Sequence, residues 1–483
     1  MTEWLRRKPV IQQTSQRERK LIPTLSWPHL VALGVGGIVG TGIYTLIGIG
    51  ADRAGPAVLI SFIVAGVVCS CAAFAYAELA TLIPLAGGAY TYSYAALGEL
   101  IAWIVGWSLI LEYSLVVSTV AVGWSAYATG FLHAIGIDLP FWMAAGYNSI
   151  DPITGQHGLI NFPAVFIVFV IASMLMIGTK ASATLNLFLV VIKIAALLLF
   201  IIVTLPHFNI ENLHPFMPNG FSKVMSPDGV ERGVMAAAAI IFFAFYGFDT
   251  IATAAEETKQ PRRDLSIGIV GSLICCIIIY VLVGLGAVGS LHYTEFSHSA
   301  EPLAHILRSL GSSHIAGLVG IAAVIALPTV LLAFFYGQTR IFFVMGRDGT
   351  LPAFLSKVSV KTKTPIATTL FTAVIIAAVA GLFRLDEIAA LANAGTLVAF
   401  TSVGICLVVL RKTAADIPRK FKTPFAFIVG PLSSIGCIYL FFSLPSQTQY
   451  YFLLWNLIGI VFYFCYGFRK SNLAHHISVT DRP

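Results

Sequence analysis

The sequence predicts an all-α polytopic membrane protein of twelve transmembrane helices, and three observations carry that expectation. Apolar runs of about twenty residues, the length that crosses a bilayer as a helix, recur along nearly the whole chain. Only 11% of the 483 residues are charged and 58% are hydrophobic, whereas soluble domains carry roughly 25% charged residues. The Lys and Arg residues fall in short loops between the apolar runs. A soluble chain of this length would divide into cores of roughly 100–200 residues with polar surfaces. One membrane domain with no appended soluble domain is therefore expected. The net charge of +7 follows membrane topology rather than a basic face or tail, so no nucleic-acid partner is expected.

Taken in order, residues 1–26 are polar and basic and lack the short apolar core and small-residue cleavage site of a signal peptide. They read as a cytoplasmic N-terminal segment preceding a retained first helix. Apolar stretches bounded by Pro, Gly or charge then give spans near 27–50, 57–83, 100–131, 161–179 and 184–206, a first five-helix unit over 27–206. A second unit over 233–410 holds spans near 233–256, 266–290, 314–343, 365–383 and 387–410. Two further helices, 424–444 and 448–468, occupy 424–468, and 469–483 is a tail. With the N-terminus inside, 23 Lys and Arg collect on the cytoplasmic side and five outside, Lys193 being the remaining one of 29. The positive-inside rule then makes both termini cytoplasmic in a cell membrane. All seven cysteines sit in apolar runs and read as fillers.

Two spans are irregular. The first reads LVALGVGGIVGTGIYTLIGIG, with Gly34, Gly36, Gly37, Gly40 and Gly42 at mid-depth. Such a run admits irregular backbone, although small residues also serve as a close helix-packing face. The sixth, IIFFAFYGFDTIATAAEE, sets Gly247 beside Asp249 near its middle. A carboxylate there needs a partner or a cavity. First of five and sixth of ten are corresponding positions, and an odd number of helices per half makes the two repeats inverted. This predicts a 5+5 inverted repeat with broken helices 1 and 6, plus two extra C-terminal helices, and a site at the repeat interface. An unwound stretch leaves N–H groups free at one half-helix start and C=O groups free at another half-helix end. Donors suit a carboxylate and acceptors an ammonium, the two charges of an α-amino acid.

Several buried ionisable groups need an account. Lys193 lies about 15 Å into its span at the helical rise, which sets a functional role against snorkelling. Glu112 reads as a proton carrier, a pocket wall or a structural acid. Glu78, near a span end, reads as structural, and Asp249 as a cap on the half-helix that follows it. Pro328 predicts a kink in span 8, with Thr329 a hydroxyl partner for Lys193. The GRDG run at 346–349 follows no strand and lacks the Lys-Ser/Thr pair of a phosphate loop.

The blocks GGIVGTGIY, AYAELATLIPLAGGAYTYSYAALGELIAWIVGW, LEY at 111–113, FFAFYGFDTIATAAEETKQPRRDLSIGI and YGQTRIFFVMGRDGTLP resemble the amino acid–polyamine–organocation superfamily, within it the cationic amino acid transporter branch. The resemblance covers about residues 25–412. It implies amino acid transport by alternating access, with substrate carboxylate held by the N–H groups of Gly40, Thr41 and Gly42. The α-ammonium would meet the carbonyls of Ile38, Phe243, Ala244 and Tyr246. Phe243 resembles a gate over the substrate, simple packing being its alternative, and Phe245 and Tyr246 would line the pocket. In sodium-coupled relatives this region of span 5 helps bind the cation, and the Lys193 ammonium resembles a built-in replacement for it. Lys193 and Glu112 thereby become proton-coupling candidates without a sodium requirement.

The expected function is secondary active transport of L-amino acids, proton-coupled and sodium-independent. The aromatics Phe334, Phe335 and Tyr336, with those of span 6, suggest a crowded apolar pocket favouring small or medium neutral substrates. An amino acid exchanger, a cationic amino acid transporter and a membrane amino acid sensor are the alternatives. A channel would repeat polar rings along a pore, and a membrane enzyme would set histidines or a metal-ligand cluster deep in a span. Neither pattern occurs, so no enzyme, cofactor or metal is expected. Partners are the amino acid, protons and the lipid bilayer. The sequence leaves open a small accessory membrane subunit or a cholesterol-like lipid, for which the last two helices offer a surface.

Overall fold

The computed structural model describes residues 6–7, 26–83, 85, 87–147, 149–150, 155–177, 183–253, 258–357, 359 and 365–473. Most of the expected cytoplasmic segments 1–26 and 469–483, and Lys180, lie outside the described residues.

The chain opens with α1 (Trp27–Ile38), whose Pro28 sits in the first turn, where a missing N–H costs nothing. Val39 and Gly40 are extended. Helix then resumes as α2 (Thr41–Tyr44) and, past Thr45, α3 (Leu46–Ala54). Gly55, with φ +63°, opens a tight turn through Pro56 that reverses the chain into α4 (Val58–Leu82). There follow α5 (Ala89–Ala96), α6 (Glu99–Ala134), α7 (Phe162–Ile177) and α8 (Ala183–Thr204). Farther along the chain come α9 (Val234–Ile241), α10 (Asp249–Thr253), α11 (Pro261–Ser290), α12 (Ser313–Ala326), α13 (Pro328–Arg347), α14 (Ile366–Leu382) and α15 (Leu385–Thr413). Helices α16 (Ala426–Ser443) and α17 (Ser446–Phe462) close the fold.

Among the described residues, eight helical stretches are long and apolar enough to cross a membrane. Four shorter apolar helices accompany them: Trp27–Ile38, Phe162–Ile177, Val234–Ala244 and Ile366–Leu382. Large apolar side chains such as Ile435, Leu453 and Leu457 lie more than half exposed on α16 and α17, a surface that only lipid solvates well. The protein is a multi-pass helical membrane protein. A departure from an all-α chain is a short antiparallel hairpin, β1 (Val224–Met225) with β2 (Glu231–Arg232). Its turn closes at Gly229, φ +80°, in a polar stretch too short to show strand alternation in sequence.

Two groups of helices surround the breaks. Helix α11 packs along α1 and α4, and α9 packs on α3 and α4. Helix α6 packs against α7, α13, α14 and α15, and α15 runs along α16. Close approach explains part of the glycine run: a Cβ on Gly34 would meet the Ser272 side chain at 2.4 Å, so that end of α1 is indeed a packing face. Helix α17 is fastened to α6 by rings: Trp107 stacks on Trp455 at 4.7 Å, and Trp103 Nε1 donates to the Gly459 carbonyl at 2.8 Å. Glu78 is structural, as its position suggested. Its carboxylate receives Arg411 at 2.7 Å, Arg419 at 2.9 Å and the Thr423 N–H at 2.7 Å, tying α4 to the end of α15 and the chain just beyond it.

Candidate functional site

The two irregular segments face each other. In the first, α1 ends at Ile38 and α2 starts at Thr41, so the N–H groups at the start of α2 have no preceding helical carbonyl to bond. The first bonded ones are Ile43 and Tyr44, both to the Gly40 carbonyl. In the second, α9 tightens into a 3-10 turn at Phe242–Ala244, and helix resumes only at Asp249. Gly247 adopts φ +119°, a conformation glycine reaches without strain.

Contact between the breaks is intimate. A Cβ on Gly42 would lie 2.4 Å from Ala244 Cα, and one on Gly247 would lie 2.8 Å from the Gly37 carbonyl. Between them is a narrow cavity of about 10 Å³, room for about one water. From the breaks it is lined by Gly37, Ile38, Gly40, Thr41, Gly42, Phe243 and Tyr246. Its flanks are Val116 and Val120 of α6 and Val330 and Phe334 of α13. Phe243 meets Tyr246 edge-on at 5.0 Å, and Tyr246 meets Phe334 at 6.2 Å.

Other polar groups brace this arrangement. The Asn393 side chain of α15 donates to the Ala239 and Ile240 carbonyls at 2.8 and 2.9 Å, satisfying the frayed end of α9. The Ile38 carbonyl accepts the Tyr280 hydroxyl at 2.9 Å. Asp249 accepts the Gly247 N–H at 3.1 Å and the Tyr113 hydroxyl at 2.7 Å. These bonds tie Asp249 back to the break itself and across to α6.

Free donors on one half-helix thus face carbonyls on another inside a helical membrane protein. A family profile described as amino acid permease matches residues 25–463. The chain belongs to the amino acid permease family. It is 44% identical over 456 residues to the branched-chain amino acid permease of Bacillus subtilis (strain 168), covering 94% of this chain and 95% of that protein. A methylthioribose transporter of the same organism is 38% identical over 98% of this chain and all of its own length. Cationic amino acid transporter 3, mitochondrial, of Arabidopsis thaliana is 36% identical over 88% of this chain and 68% of its own. The amino acid permeases are transporters of the amino acid–polyamine–organocation superfamily, not enzymes.

Within this permease the expected site residues divide. Ile38, Gly40, Thr41, Gly42, Phe243 and Tyr246 line the cavity, and Ala244 stands against Gly42. The Phe245 ring turns away, packing on Phe62 at 6.1 Å and Tyr280 at 5.3 Å. Of the span 8 aromatics, Phe334 faces the cavity, while Tyr336 is 41% exposed with the Arg340 guanidinium over its ring. Lys193 is fully buried and its ammonium donates to the Gly36 carbonyl at 2.9 Å, in the last turns of α1. Its backbone carbonyl accepts the Tyr44 hydroxyl at 3.2 Å, so one residue touches both sides of the first break. Thr329 is not its partner: that hydroxyl bonds the Ala326 carbonyl at 2.7 Å, one turn back at the Pro328 kink. Glu112 lies one turn along α6 from Val116, and its side chain is buried. The sequence reading missed Gly37, Val116, Val120 and Val330. Valines at i and i+4 on an apolar helix look the same whether they face a cavity, a neighbour or lipid.

Proposed function

We propose that the chain is a secondary active transporter that carries L-amino acids by alternating access around the two facing breaks. The carrying observation is the contact of Gly42 with Ala244, which sets free amide donors beside carbonyl acceptors across a single narrow cavity. A zwitterion has one group for each: carboxylate to the N–H groups of Gly40, Thr41 and Gly42, ammonium to the carbonyls of Ile38, Phe243, Ala244 and Tyr246. The side chain then lies among Val116, Val120, Val330 and Phe334. These walls favour small or medium neutral amino acids, in line with the relative named for branched-chain ones. A long basic side chain would find no carboxylate among the lining residues, and methylthioribose has neither of the charges that the two backbone ends match.

The twelve-span, 5+5 inverted-repeat reading is supported by the eight long and four short apolar helices and by breaks in the first and sixth spans. The distribution of Lys and Arg supports two cytoplasmic termini. Proton coupling without sodium is supported by the Lys193 bond to Gly36, where an ammonium holds a backbone carbonyl beside the break. Glu112 supports it too, because protonation of a buried carboxylate removes the large cost of its charge and leaves only the smaller cost of a neutral polar group. Phe243 acts as the gate over the substrate.

Uptake into proteoliposomes tests this. Neutral L-amino acids should accumulate under an inward proton gradient, unchanged when sodium is removed, with alanine or leucine outcompeting arginine. Competition won by arginine or methylthioribose overturns the substrate class. Uptake that needs sodium and ignores pH overturns the coupling, exchange-only traffic makes the protein an exchanger, and binding without accumulation or counterflow leaves a sensor.

A further inference from the structure

A second cavity of about 10 Å³ lies one layer from the central one. It is lined by Tyr76, Gly87, Gly88, Tyr113, Asp249 and Arg340, among others. The two cavities are stacked along the same helices. On α13 the central cavity takes Phe334 and the second takes Gly337, Arg340 and Ile341, so six residues, about 9 Å of helix, separate Phe334 from Arg340. On α6 the central cavity takes Val116 and Val120, the second Leu109 and Tyr113. The partition between them is the Tyr113–Phe334 ring pair, 5.4 Å between centroids.

The lining of the second cavity includes an acid and a base that the central one lacks, Asp249 and Arg340. Asp249 is buried and anchored by Tyr113 and Gly247. Arg340 is half-buried, its guanidinium lying 4.6 Å over the Tyr336 ring and donating to the Tyr336 hydroxyl; turned from that ring into the chamber, its fork suits a carboxylate. Gly87 and Gly88 form a wall without side chains, and a Cβ on Gly88 would meet nothing within 4 Å.

We propose that this chamber is a second amino acid subsite, between the central site and the cytoplasm, where Arg340 takes the carboxylate of the zwitterion and Asp249 its ammonium. The subsite rests on the transport reading above for its substrate and sidedness. Its occupancy is coupled to the partition, because an ammonium at Asp249 competes with the Tyr113 hydroxyl, and Tyr113 holds Phe334. A substrate on the cytoplasmic side thereby loosens the wall it must cross.

Equilibrium dialysis of detergent-purified protein with radiolabelled leucine, and transport kinetics in proteoliposomes of defined orientation, test this with Arg340→Gln and Arg340→Lys. Wild-type protein should bind two leucines and Arg340→Gln one. Arg340→Gln should raise the cytoplasmic-side KM about tenfold more than the external KM, the effect of losing one charged hydrogen-bonding partner. Arg340→Lys should recover part of it, and isoamylamine, which has no carboxylate, should inhibit both proteins alike from the cytoplasmic side. One leucine bound by wild-type protein, or equal changes in KM on both faces, overturns the subsite and leaves transport standing. Wild-type protein that binds two leucines yet transports none overturns the transport reading and keeps the subsite.

Discussion

Gly247 rests against Gly37 so closely that a Cβ on Gly247 would lie 2.8 Å from the Gly37 carbonyl carbon and oxygen. The two breaks are therefore held together by backbone, at a point where φ is +119°. Gly247→Ala adds strain of about 1–3 kcal/mol for the backbone conformation alone, with overpacking on top. It should lower the thermal transition of the purified protein and abolish uptake.

Gly42→Ala should remove substrate binding, since its Cβ would enter the Ala244 backbone at 2.4 Å. Gly317→Ala on α12 is the control, because nothing lies within 4 Å of its Cβ position. It should raise stability by about 0.5–1 kcal/mol, the usual gain inside a helix. Ligand-induced thermal stabilisation, present in Gly317→Ala and absent in Gly42→Ala, checks the pair.

Lys193→Ala leaves the Gly36 carbonyl without its ammonium donor. Proton-driven accumulation should fall about tenfold or more, the scale of one charged hydrogen bond, while leucine binding falls less. Accumulation equal to wild type would remove Lys193 from the coupling mechanism. Glu112→Gln, which mimics the protonated carboxyl, should flatten the pH dependence of uptake while preserving counterflow.

Glu78→Ala strands two guanidinium groups, Arg411 and Arg419, held at 2.7 and 2.9 Å. Breaking such a buried pairing costs about 3–5 kcal/mol. The thermal transition should drop sharply, while the KM of the protein that remains folded stays near the wild-type value.

Much of this molecule is legible in one dimension. Hydropathy sets the spans because a lipid-facing backbone must bond within its own helix, and the glycines of span 1, with Gly247 beside Asp249 in span 6, mark the breaks because they admit irregular backbone. Glu78 reads as structural from its place near a span end. Less legible were the orientations of side chains around the breaks. Phe245 and Tyr246 are adjacent in sequence, yet one packs on Phe62 and Tyr280 and the other lines the cavity. Irregular backbone has no period from which to assign faces. The β1–β2 hairpin escaped notice because two-residue strands have no alternation to read.

The sequence by itself determined that the chain is a helical membrane protein of the amino acid permease kind, with glycines that interrupt two of its apolar spans. Tertiary structure decided what the breaks meet. It put Gly42 on Ala244, Gly247 on Gly37, Lys193 on Gly36 rather than Thr329, and Asp249 with Arg340 in one chamber. Hydrophobicity and chain stiffness are local properties that a sequence carries residue by residue. The pairing of groups from helices hundreds of residues apart depends on how closely small residues let those helices pack, and that exists only once they have packed.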